Sequence, residues 1–181
     1  MAVLLTKEWQ QIASHQIGSN EWGKWTAYLQ AKYTSQDEDS ATSVVNYRIQ
    51  ITVTGTGNYF TADDFETYIN GVRNDMGKET FNKGTVTAQT VDATITQTDD
   101  GKFDSDGNFI SSVTYRIYTT FGTSKATTTV EYALPYIETT NAYISINGEI
   151  KKAQTYIGVN GVPVKCDVYV GVNGVPVKCR V

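Results

Sequence analysis

The sequence predicts a mainly β protein: an antiparallel sandwich, with a short helix before it and a run of hairpins after it. Three observations lead there. Apolar and polar residues alternate over most of the stretch from Lys24 to Ile137. Turn-forming clusters interrupt that alternation at short intervals. A 13-residue pattern then closes the chain, with Tyr143, Tyr156 and Tyr169 each followed four residues later by Asn-Gly.

The helix is expected in "TKEWQQIASHQIG". Thr6 is placed to cap it, Glu8 sits in its first turn and Gly18 can stop it. Trp9, Ile12, Ala13 and Ile17 recur at helical spacing and give one apolar stripe. Residues 1–23 are therefore read as an N-terminal helical segment.

Residues 24–140 are read as the sandwich domain. In "WTAYLQAKYTS", Trp25, Ala27, Leu29 and Ala31 fall on one side; in "SVVNYRIQITVTG", Val45, Tyr47, Ile49, Ile51 and Val53 alternate with Asn46, Arg48, Gln50 and Thr52. "GTVTAQTVDATITQT", "SSVTYRIYTTFG" and "KATTTVEYALPYI" behave similarly, separated by the turn clusters "SQDEDSATS", "GTGN", "NGVRNDMG" and "DDGKFDSDGN". About six or seven strands at this spacing point to an immunoglobulin-like antiparallel β-sandwich. Alternation lets each sheet bury one face and wet the other.

Residues 141–181 hold three copies of the terminal repeat. Asn147-Gly148, Asn160-Gly161 and Asn173-Gly174 are hairpin signals, because both residues of a type I′ turn need positive φ. A two-residue turn sets Val159 opposite Val162, Ile157 opposite Val164 and Thr155 opposite Cys166, a nearly apolar face. Tyr156, Gly158, Pro163 and Lys165 take the other face. Pro163 and Pro176 lack an N–H, which favours discrete hairpins over one flat sheet. An isolated hairpin is marginal in water, so these units are expected to bind each other, the sandwich or another chain.

Composition excludes several function classes. The 181 residues carry a net charge of −4 and are only 19% charged, which argues against a sequence-independent grip on nucleic acid. No apolar run is long enough for membrane insertion, and "MAVLLTKEW" turns polar too soon for a signal peptide. Two cysteines do not make a disulfide scaffold. Synthesis in a reducing cytoplasm is the expectation.

No catalytic constellation emerges, and no cofactor is expected. His15 is the single histidine, which excludes a multi-histidine metal site. In "DDGKFDSDGN" (Asp99 to Asn108) an EF-hand would need glycine sixth after a leading aspartate. Counting back from Gly107 and Gly101 reaches Lys102 and Thr96 instead, so an acidic turn is the better reading, ahead of an irregular calcium site. "SQDEDS" reads the same way. Cys166 and Cys179 occupy equivalent repeat positions, as small apolar residues or, second, as a disulfide. "GTGNYF" lacks the lysine and following helix of a phosphate loop. The 12 tyrosines and three tryptophans allow sugar-stacking platforms, against the alternative that Trp25, Tyr47 and Tyr115 are core.

"LQAKYTSQDEDSATSVVNYRIQITVTG" resembles the opening strands of sandwich domains in structural proteins of tailed bacteriophages that infect Gram-positive hosts. "TYINGVR" and "TITQTDDGKFDSDGN" resemble two later segments of those domains, although the second lacks the histidine usual there. The terminal "YIGVNGV" repeats are similar to those ending prophage tail and tail-tip proteins. The resemblance spans Trp25 to Ile137 and the tail, and it brings no catalytic residues. It implies a virion component made in the host cytoplasm, a minor tail or decoration protein with other virion proteins as partners.

The expected function is therefore non-enzymatic assembly as a homo-oligomer through the hairpins. Its residues are Tyr143, Asn147 and Gly148 in the first copy, and Tyr156, Ile157, Val159, Asn160, Gly161, Val162 and Val164 in the second. The third contributes Tyr169, Val170, Val172, Asn173, Gly174, Val175 and Val177. The alternative is a carbohydrate-binding module or adhesin that recognises cell-wall or capsular glycans on the host surface.

Overall fold

The computed structural model describes residues 2–21, 23–56, 59–98 and 100–137, and beyond them the backbone pairing of six strands at 142–146, 149–153, 156–159, 162–165, 169–172 and 175–178. The chain divides into two units, Met1–Ile137 and Glu138–Val181. Among the described residues the protein is all strand and turn, with no helix.

The first unit contains two sheets. One is antiparallel throughout and runs β2 (Gln10–Asn20), β3 (Gly23–Asp37), β4 (Thr42–Gly55), β7 (Gly84–Thr96). The other runs β1 (Val3–Leu4), β9 (Lys125–Leu134), β8 (Phe109–Thr119), β5 (Tyr59–Ile69), β6 (Val72–Asn82), with only the β1–β9 pair parallel.

Strict alternation builds the core. Along β4, Val45, Tyr47, Ile49, Ile51 and Val53 are buried, whereas Asn46, Arg48, Gln50 and Thr52 between them are half-buried. On β3 the buried set is Trp25, Ala27, Leu29 and Ala31. These side chains join Phe60, Phe65, Ile69, Val113, Tyr115, Ile117, Tyr132 and Leu134 of the other sheet in one cluster. Each large apolar side chain so buried contributes roughly 1.5–3 kcal/mol, so this double layer dominates the stability of the unit. Trp25, Tyr47 and Tyr115 are core residues.

The N-terminal helix is not formed. Gln10–Asn20 is strand β2, paired antiparallel with β3, and residues 1–23 belong to the two-sheet unit rather than to a separate segment. Two register irregularities, between Gln11 and Ala13 and between Gln16 and Gly18, explain the misleading pattern. A bulge inserts an extra residue and breaks the two-residue period, so Ile12, Ala13 and Ile17 fall at intervals that mimic a helix. Thr6 does act as a cap, but of a turn: its hydroxyl accepts the Glu8 N–H at 3.1 Å and the Gln10 side-chain amide at 3.0 Å. Gly18 serves Trp25 rather than a helix stop, since a Cβ there would lie 3.1 Å from the indole ring.

"NGVRNDMG" also differs from expectation. Only Asn70 and Gly71 turn, with φ of 48° and 78°, and Ile69 pairs with Val72 across them. The charged residues that follow belong to edge strand β6, whose open side tolerates them.

In the second unit, β10 (Ala142–Ile146) pairs with β11 (Glu149–Ala153), β12 (Tyr156–Val159) with β13 (Val162–Lys165), and β14 (Tyr169–Val172) with β15 (Val175–Lys178). Each pair is its own two-stranded antiparallel sheet.

Candidate functional site

Two regions hold the residues of interest. In the second unit, Ile157 lies opposite Val164 and Val159 opposite Val162; Val170 lies opposite Val177 and Val172 opposite Val175. These apolar pairs alternate with Gly158–Pro163 and Gly171–Pro176, and successive residues of a strand belong to opposite faces. The first copy keeps the register with other residues, setting Ile144 opposite Lys151 and Ile146 opposite Glu149. All three hairpins share one further feature: Tyr143, Tyr156 and Tyr169 lie opposite Lys152, Lys165 and Lys178. Asn147, Gly148, Asn160, Gly161, Asn173 and Gly174, and with them Thr155, Cys166 and Cys179, lie outside the described residues.

The second region is the outer face of the five-stranded sheet. The β5–β8 register sets Tyr68 opposite Arg116 and Glu66 opposite Tyr118. The Arg116 guanidinium lies 5.0 Å from the Tyr68 ring centre and 5.8 Å from that of Tyr118. Tyr68 donates its hydroxyl hydrogen to Glu66 Oε2 at 2.5 Å, Arg73 pairs with Glu66 Oε1, and Arg73 reaches Asp75 Oδ2 at 2.8 Å. Arg73 above all, and then the Tyr68 hydroxyl, holds the Glu66 carboxyl below its usual range. The bond to Glu66 in turn pushes the Tyr68 phenol up. This face thus offers aromatic rings, a delocalised cation and an ionised carboxylate side by side. The sequence carries a signal for it, because the Asn70-Gly71 turn fixes the pairs Tyr68–Arg73 and Glu66–Asp75. Reading residues 70–77 as one turn cluster conceals that pairing, because only Asn70 and Gly71 turn.

Asp64, Glu66 and Asp75 also bring one carboxylate oxygen each within 4.8 Å of one another. Arg73 already neutralises two of the three, so the cluster is an ion-pair network and not a vacant cation cage.

The acidic turns organise their own backbone. Asp104 Oδ1 accepts the N–H groups of Asp106 at 2.9 Å and Asn108 at 2.8 Å, and the Asn108 amide donates to both of its oxygens. Asp37 Oδ1 similarly accepts the N–H groups of Asp39 and Ser40. In both turns an aspartate side chain thus fastens the backbone of its own loop. His15 sits half-buried on β2, with Nε2 donating to the Thr123 carbonyl at 2.7 Å.

No protein-family model matches this chain, and neither the curated proteins nor the solved structures contain a significant match to it.

Proposed function

We propose that this chain is a non-enzymatic structural protein of a bacteriophage virion, a minor tail or decoration protein. In this reading it associates with its own copies through the C-terminal hairpins and presents an immunoglobulin-like sandwich outward. The observation that carries the reading is the cross-strand pairing of Ile157, Val159, Val162 and Val164, repeated at Val170, Val172, Val175 and Val177, in hairpins that each form a separate two-stranded sheet. A ribbon of that size with an apolar face is marginal until something covers it. The phage setting rests on the resemblance of the strand segments and the terminal repeats. Removing residues 142–181 tests the assembly role: the truncated chain is expected to keep its β spectrum and cooperative unfolding but to sediment at a lower mass. An unchanged oligomeric mass overturns it.

A second reading, recognition of a host-surface glycan, is favoured by the Tyr68–Arg116–Tyr118 face. Aromatic rings stack on sugar rings, and a flanking guanidinium and carboxylate hydrogen-bond their hydroxyls. A screen of the intact protein against cell-wall and capsular polysaccharides is expected to find a binder that Arg116→Ala and Tyr118→Ala lose. Silence across the panel removes this reading and leaves the assembly role standing.

A further inference from the structure

Three of the four sheet edges in the 1–137 unit are guarded against strand addition. β1 is only two residues long. β6 carries Arg73, Asp75, Lys78 and Glu79, and its register against β5 is broken near Phe65. β2 has two irregularities, and its Ile17 carbonyl accepts the Thr123 N–H at 2.6 Å. Short strands, charges, bulges and covering loops are the usual protections of an open edge.

Among the described residues, the fourth edge, β7, is guarded only in its first half. There the Asn74 side chain donates to the Ala88 carbonyl at 2.6 Å, and Gln89 donates to the Val72 carbonyl at 2.8 Å. From Thr90 to Thr96 the strand pairs with β4 on one side and with no other strand among the described residues. The register tells which backbone groups face outward. Gln97 donates its N–H to the Ala41 carbonyl at 2.8 Å, which makes that couple a hydrogen-bonded pair. In an antiparallel ladder such pairs alternate. Ile95, Ala93 and Val91 therefore bond toward β4, and the N–H and C=O groups of Thr90, Asp92, Thr94 and Thr96 point to the open side. No proline or lysine interrupts the 13 residues of β7, and Asp92 is its one charge.

We propose that this edge pairs with the same edge of a second copy of the chain, antiparallel about a two-fold axis at Ala93, joining two four-stranded sheets into one of eight. This interface is independent of the C-terminal hairpins. In that register Thr90 exchanges hydrogen bonds with Thr96 of the second copy, and Asp92 with Thr94. Val91, Ala93 and Ile95, which are half-buried against the core, meet Ile95, Ala93 and Val91 of the second copy and extend the apolar layer. Charge argues for a copy of the same chain and for this axis. An axis at Asp92 would set carboxylate against carboxylate, and an axis at Thr94 would shorten the ladder past the end of the strand. With the axis at Ala93, each Asp92 faces a threonine, so self-pairing meets no direct like-charge opposition.

The test is a symmetric cross-link in the full-length chain carrying Cys166→Ser and Cys179→Ser. Facing Ala93 residues would form a non-hydrogen-bonded pair with Cα atoms about 4.5 Å apart, a spacing a disulfide can span. Under mild oxidation Ala93→Cys is expected to give a covalent dimer, whereas Thr90→Cys, which faces Thr96, is not. Adding Thr94→Asp puts two like-charge pairs across the junction and is expected to lower dimer yield about tenfold. Thr94→Lys, facing Asp92, is expected to preserve it. Equal cross-linking of Ala93→Cys and Thr90→Cys, no dimer from Ala93→Cys, or equal yields from Thr94→Asp and Thr94→Lys each overturn the proposal. The disulfide reports this edge alone, so the result is separable from that of the hairpin deletion.

Discussion

The phenol hydroxyls of Tyr47 and Tyr132 meet in the middle of the core and hydrogen-bond one sheet to the other. Tyr47 comes from β4 and Tyr132 from β9, both rings are fully buried, and their centres lie 5.9 Å apart in an edge-on arrangement. Each hydroxyl is the hydrogen-bond partner of the other. Truncating either one therefore leaves the other buried without that partner. Tyr47→Phe and Tyr132→Phe are each expected to cost about 1–3 kcal/mol. Urea unfolding of both, and of the double variant, checks this; the double loss should fall short of the sum.

The same pair sets an alkaline limit. Burial first, and then the neighbouring Tyr132, pushes the Tyr47 phenol far above its ordinary value, and burial raises Tyr132 and Tyr115 as well. Groups whose folded value is raised contribute fully below their unfolded value, near pH 10 for tyrosine. That contribution is lost as pH climbs from there, because only the unfolded chain ionises. The urea midpoint is expected to hold up to about pH 9 and then fall. Replacing both Tyr47 and Tyr132 by Phe should make the fall shallower.

Gly122 is placed for close approach as well as for its turn. Its φ is +81°, and a Cβ there would stand 2.2 Å from the Ile17 carbonyl oxygen, next to the Thr123 N–H bond that closes the β2 edge. Gly107 has a nearly identical φ of +82° with open space around it. Gly107→Ala should cost only the left-handed backbone term, about 1–2 kcal/mol. Gly122→Ala adds a backbone clash and is expected to cost clearly more. Chemical denaturation of the two variants separates conformation from contact.

Asp104 should confer sensitivity to acid. Its carboxyl is held below the usual value by the Asn108 side chain first, and then by backbone N–H groups of the same loop. A lowered folded value means stability present above about pH 4 and lost as pH falls through the folded value. Asp104→Asn is expected to flatten the acid limb of the stability profile while leaving neutral pH less affected. An unchanged limb would show that the loop bonds do not persist in solution.

Much of the two-sheet unit was legible because β4 keeps the two-residue period as far as Val53 and β3 keeps it from Trp25 to Ala31, before the irregularity at Tyr33 and Ser35. Trp25 to Ala31 and Val45 to Val53 could be assigned to the core from their spacing alone. Legibility failed where that period was broken. The two bulges of β2 turned a strand into an apparent helix, and the irregularity between Ala62 and Glu66 interrupts the alternation of β5. Turn-forming residues misled at β6, where Asn74, Asp75 and Gly77 suggested a loop although they lie within an edge strand. The Tyr68–Arg116 contact was out of reach for a different reason: it joins residues 48 apart, and only the β5–β8 register brings them together.

The hairpin register makes a sharper test of the assembly role than deletion does. Ile157 and Val170 stand at equivalent places, opposite Val164 and Val177, and belong to one face of their ribbons. Lys165 and Lys178, opposite Tyr156 and Tyr169, belong to the other. If the apolar face is the contact, Ile157→Lys with Val170→Lys introduces a buried charge on each ribbon, which a packed interface does not accept unpaired. Self-association should then weaken by roughly a hundredfold or more, on the order of 3 kcal/mol. Lys165→Glu with Lys178→Glu changes charge by more but leaves that face intact, and is expected to change self-association little. Sedimentation equilibrium of the two double variants decides between the faces: the reverse pattern would move the contact to the tyrosine–lysine side.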